Sequence, residues 1–102
     1  MRFCILNEAK EVVFTNDHRM ADRWRELNKP NILKTILEDK EISTVFTGCD
    51  HGDGPFETLV RPGFHQRRYH TLVDAIIGHR EVVDMEILSI GWTYEEILAR
   101  EG

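Results

Sequence analysis

Long apolar runs are missing from this chain. None approaches the roughly 18 residues that a membrane-spanning helix needs. Cysteine is scarce: Cys4 and Cys49 are the only two in 102 residues. They form no C-x-x-C pair, which argues against a disulfide framework and fits a reducing cytoplasm. Both read as small buried hydrophobes. Proline, present three times, and glycine, present seven times, are too few for a linker. No repeat or low-complexity tract divides the chain, and its length suits one domain. Basic residues are outnumbered 13 to 18, a net charge of −5. That balance argues against a general nucleic-acid binder. No signal-peptide pattern opens the chain, because Asn7, Glu8 and Lys10 interrupt the first apolar stretch. The expectation is a soluble, cytoplasmic protein with no membrane partner.

Leu, Ile, Val and Phe are well represented, with 29 positions between them. That is too many for a disordered chain and enough for a small core. Charge is unevenly spread. Residues 61–70 hold three arginines, two histidines and no acid, while the remainder sets ten bases against 18 acids.

Arg2–Leu6 and Glu11–Thr15 are short apolar β-formers around a polar tetrad, which predicts a hairpin. Asn16-Asp17 predicts a cap for a helix to about Leu27, with Met20, Trp24 and Leu27 at helical spacing. Residues 32–37 fit helix or strand. Ile42–Thr47 is a strong strand, and 32–47 reads as a second hairpin. Gly48–Pro55 reads as a loop, Phe56–Val60 as a strand, Pro62-Gly63 as a turn and Phe64–His70 as a last strand. Thr71 caps a helix over about 71–88, with Asp74 at its third position. Its stripe is Leu72, Ala75, Ile76, His79, Val82 and Val83. After Gly91-Trp92, Thr93–Glu96 is a capping box for a short terminal helix. Grouped strands without β-α-β alternation predict an α+β fold: an antiparallel sheet of four to six strands covered by one main helix. The single domain spans 1–88, and 89–102 is a helical extension expected to mediate a homo-oligomer.

Ser43-Thr44-Val45-Phe46, the Gly48-x-Asp50-His51 turn, a Gly-Pro step, Phe56-Glu57-Thr58, Arg68-Tyr69-x-Thr71 and Gly78-His79 form an ordered string. It resembles the S-T-V-F-x-G-x-D-H…F-E-T…R-Y…G-H pattern of a family of small uncharacterised phage, prophage and bacterial proteins. The likeness covers about residues 42–83. Cys49 replaces an aliphatic residue, the loop before Phe56 is shorter, and the basic 61–70 stretch replaces a more neutral one. The family carries no established activity. The resemblance implies a phage-linked or bacterial cytoplasmic setting, in the host cytoplasm if the chain is phage-encoded.

Asp50, His51, Asp53 and Glu57 gather three carboxylates and an imidazole in eight residues. With His79 they suggest a metal site, built on Asp50, His51, Glu57 and His79. The competing reading is that Asp50 closes its own turn as an Asx residue. His79 lies inside the apolar stripe and must find a partner, expected among the polar groups of 50–57. Arg61, His65, Arg67, Arg68 and Tyr69 could bind an anion or nucleotide. Alternation on a strand puts His65, Arg67 and Tyr69 on one face, and Arg68 on the other facing Glu57. Otherwise the segment is a charged edge strand. No G-x-S-x-G, phosphate-cradling Gly-Lys-Ser/Thr or H-E-x-x-H motif is present. The reading is a small non-catalytic, cofactor-free binding protein. It would interfere with a host process, including host defence, by holding a host protein or a small anionic ligand at Asp50, His51, Arg61, His65, Arg67, Arg68, Tyr69 and His79. The alternative is a metal-dependent enzyme.

Overall fold

The computed structural model describes residues 1–28, 31–62, 65–90 and 99. The fold is α+β. In chain order it runs β1 (Arg2–Leu6), β2 (Val12–Thr15), α1 (His18–Asn28), β3 (Asn31–Leu37), β4 (Lys40–Phe46), β5 (Cys49–Asp50), β6 (Phe56–Arg61), β7 (His65–Tyr69) and α2 (Leu72–Ile90). The strands divide into two antiparallel sheets, in the orders β2-β1-β5 and β3-β4-β6-β7. Among the described residues no helix is long and apolar enough to cross a membrane.

The first hairpin turns on Asn7. Its amide N–H donates to the Glu11 carbonyl and its side-chain oxygen accepts from the Glu11 N–H at 2.9 Å. Residues 32–37, open between helix and strand, lie in β3, whose partner β4 begins after the tight turn Glu38-Asp39. Two residues of the expected loop form β5: Cys49 pairs with Phe3 and Asp50 with Arg2. Spacing within 48–55 carries no sign of that pairing, which rests on β1 more than 40 residues away.

Asp17 caps α1, accepting the Arg19 N–H at 3.0 Å. The expected α1 stripe is only partly used: Ala21 is buried and Trp24 packs on Phe46, whereas Met20 and Leu27 face water. Helix α1 rests mainly on β1, so a single narrow edge of it is covered. Thr71 caps α2 by accepting the Asp74 N–H at 3.1 Å. Helix α2 continues to Ile90, past the expected end at 88. The terminal helix expected from 93 and the rest of the 89–102 extension, residue 99 apart, lie outside the described residues.

One face of the larger sheet packs on α2, and its interior is tiered. Phe46, Phe56, Tyr69 and Ala75 form one apolar cluster with Cys4 and Leu6. Ile42, Val60, Val82 and Leu37 form another. Alternation along β4 and β6 puts Thr44 and Thr58 between these clusters, and α2 adds His79 at the same level. The opposite face of the sheet carries Glu41, Ser43, Glu57, Gln66 and Arg68.

Candidate functional site

The middle tier is a continuous hydrogen-bonded chain. Thr35 Oγ1 lies 2.9 Å from Nε2 of His79, and Thr44 Oγ1 lies 2.7 Å from Nδ1. Thr44 Oγ1 also lies 2.6 Å from Thr58 Oγ1. A neutral imidazole has one donor and one acceptor nitrogen, so both are satisfied whichever tautomer is present. Burial lowers the His79 pKa below its usual 6.5, favouring the neutral ring. His79 therefore has the satisfied core position that its place in the stripe requires. Its partners come from β3 and β4, however, and not from residues 50–57. The expectation failed because spacing gives the face of a helix but not which strands lie beneath it. The sequence does carry a signal for Thr44 and Thr58: each stands two residues from a large apolar side chain on both sides, Ile42-x-Thr44-x-Phe46 and Phe56-x-Thr58-x-Val60.

The outer end of this chain opens into a groove of about 480 Å³ between β3 and the second half of α2. Thr35 and His79 form its base, with Arg80, Val83, Asp84 and Ile87 as walls. Arg80 and Asp84 have no ion-pair partner among the described residues.

Asp50 closes its own turn. Its buried Oδ1 accepts the N–H groups of Gly52 at 2.7 Å and Gly54 at 3.1 Å. The Gly52 N–H holds the carboxyl below its usual 3.8, against the opposing effect of burial. The Gly54 N–H and the charges of His70 and Arg2 add to that lowering. Gly54 has a φ of +101°, and a Cβ there would overlap the Tyr69 carbonyl.

The four residues proposed to share a metal are dispersed. His51 is exposed beyond β5, Asp50 is held by its turn, and Glu57 faces away from His79 across β6. Among the described residues, no three His, Cys, Asp or Glu side chains stand close enough to hold one ion. Strand alternation moves Glu57 to the far face, which the eight-residue spacing did not reveal.

The basic segment divides as alternation predicts. Arg68 faces Glu57 across β6 and β7, with Nη2 2.6 Å from the carboxylate, which also accepts from Gln66 Nε2 at 2.6 Å. Arg67 lies on the α2 side, 3.1 Å from Glu81, with its guanidinium carbon 5.6 Å from the Tyr69 ring centroid. His65 pairs with Val60 in the strand register. Tyr69 is not an open stacking platform: its ring is buried and lies against Gly78, where a Cβ would overlap it. Arg61 ends β6, exposed. The eight expected ligand residues are thus spread over two sheet faces, a turn and the core. Comparison with family models, with curated proteins and with solved structures found no match.

Proposed function

We propose that this chain is a small non-catalytic binding protein that acts by protein–protein contact through α2. The motif string supports a phage-linked setting, and the host cytoplasm is then the place of action. One observation carries the reading: α2 turns Val73, Ile77, Met85 and Leu88 to solvent, at 65%, 51%, 52% and 79% exposure. Apolar side chains gathered on one side of an element are the material of interfaces. The groups suited to acid–base or anion chemistry are meanwhile engaged internally: Asp50 by its turn, Glu57 by Arg68, Arg67 by Glu81 and His79 by two threonines.

The unpaired guanidinium of Arg80 at the groove favours a second reading, a small anionic ligand. A thermal-shift series with ATP, GTP and inorganic phosphate separates the two. An anion at 100 times its dissociation constant would add about 2.7 kcal/mol of stability. The protein-contact reading expects no such shift. It also expects that expressing the wild-type chain in bacteria impairs growth or a defence response, and that Ile77→Glu, folded by circular dichroism, loses the effect. A stabilising nucleotide, or an effect that Ile77→Glu retains, refutes it.

A further inference from the structure

The larger sheet ends in β3 on one side and β7 on the other, and the two edges differ. β7 carries Arg67 and Arg68, charges of the kind that keep an edge from pairing. β3 is longer and has no proline, and its one charge, Lys34, is engaged by Glu41 of β4 at 3.3 Å. Ile36 stands on it 69% exposed. Among the described residues no strand pairs with the free side of β3. The turn Glu38-Asp39 fixes which main-chain groups are open there. A two-residue turn is closed by a pair that exchanges both hydrogen bonds, here Leu37 and Lys40, and such pairs recur at every second position. Thr35 and Leu37 are thus bonded to β4, while the N–H and C=O groups of Lys34 and Ile36 point to the free side.

The groove of about 480 Å³ between β3 and α2 borders the same edge. A strand added to β3 would turn its residues opposite Thr35 and Leu37 toward α2, because directly opposed residues share a face. Those side chains enter the groove. Helix α2 runs from Ala75, in the cluster that Ile32 joins, to Val82, in the cluster with Leu37. Arg80 therefore stands toward the start of β3, with Val83 and Ile87 toward Leu37. Arg80 has no ion-pair partner among the described residues. Open main-chain groups select another main chain, Arg80 selects a carboxylate, and Val83 and Ile87 select an apolar side chain; Asp84 disfavours a second acid further along.

We propose that β3 binds an extended segment of a partner protein by strand addition, with an acidic and an apolar residue at alternate positions seated between β3 and α2. This site lies apart from the solvent side of α2 and does not depend on the docking reading there.

Panning the full chain against a displayed library of random peptides of about 12 residues tests it, followed by titration of the enriched sequences as synthetic peptides. They should share an acid and an aliphatic residue at alternate positions. Arg80→Glu should weaken them about tenfold or more, the scale of a lost charge-assisted hydrogen bond. Ile36→Pro removes an N–H that faces the free side and spares the bonds to β4, as proline on an edge strand can. It should also weaken binding about tenfold or more, while Ile36→Ala, which keeps the N–H, should weaken it far less. Where Ile36→Pro does not fold by circular dichroism, amide exchange of the wild type decides: the Lys34 and Ile36 N–H groups should exchange at least about tenfold more slowly with peptide bound. A library that yields no enriched sequence overturns the proposal. So do peptides indifferent to both Ile36→Pro and Arg80→Glu, or exchange unchanged at both amides. A chain that dimerises by light scattering and loses the dimer in Ile36→Pro overturns it as well, because a second copy is then the occupant. The cellular effect of Ile77→Glu tests the solvent side of α2 separately.

Discussion

Thr44 Oγ1 serves two neighbours at once, the imidazole of His79 and the hydroxyl of Thr58. Thr44→Val therefore strands a buried nitrogen and a buried hydroxyl together, at about 1–3 kcal/mol for each group. His79→Leu leaves Thr44 and Thr58 bonded to each other and should cost less than about 1.5 kcal/mol, as well-matched core swaps do. Urea unfolding at pH 7.5 should rank Thr44→Val as the more damaging; the reverse order would mean that His79 has a larger role than filling this tier. Protonation gives a second measurement. The folded His79 pKa lies below 6.5, so the unfolded chain takes up its proton first as pH falls. The stability is fully present above about pH 6.5 and declines below it, by at most about 1.4 kcal/mol per pH unit, until the folded ring also protonates. His79→Leu should flatten that slope between pH 7.5 and 5.5. Residue-level legibility was uneven. The opposite roles of Arg67 and Arg68 follow from the two-residue period of a strand. The partners of His79 lie 44 and 35 positions away, and no local spacing names them.

Helix α2 carries a glycine where a helix would ordinarily gain from alanine, by up to about 1 kcal/mol. Gly78 lies beneath the Tyr69 ring, and a methyl group there would overlap the ring. Gly78→Ala should thus reverse the usual sign and lower stability by about 1–3 kcal/mol, the range for an overfilled core. Tyr69→Phe should be neutral or slightly stabilising, because the hydroxyl is buried and bonds to none of the described residues. Thermal melts of both variants check the pair; a stabilising Gly78→Ala would contradict this packing. At the start of the helix, Thr71→Ala removes the acceptor for the Asp74 N–H and should cost about 1 kcal/mol, measurable as a lower urea midpoint. Elements with a strong local pattern are readable from the sequence: the capped helix, the β-branched β4 and the first hairpin. β5 is not, since two residues between glycine turns become a strand only through β1. The α1 stripe misleads because helical spacing shows that residues share a side, not how much of that side is covered.

Across the whole molecule, a polar tier separates two apolar clusters that share β4, β6 and α2. Sliding α2 by one turn, about 5.4 Å, would carry His79 away from its threonines and into apolar surroundings. Buried polar groups can fix register in this way while contributing little net stability. The combined variant Thr44→Val, Thr58→Val, His79→Leu should then melt no lower than His79→Leu alone, since removing all partners leaves none unpaired. It should also bind a hydrophobic dye more readily and protect fewer backbone amides from exchange. A combined variant much less stable than His79→Leu would show that the tier stabilises outright. The same arrangement constrains how such a chain can diverge. Replacing Thr44 first is costly, while replacing it after position 79 has become apolar costs less, so the effect of each substitution depends on the order in which it arrives. Position 79 is therefore expected to turn apolar before position 44 does, and descendants of this fold should not combine His79 with an apolar residue at 44.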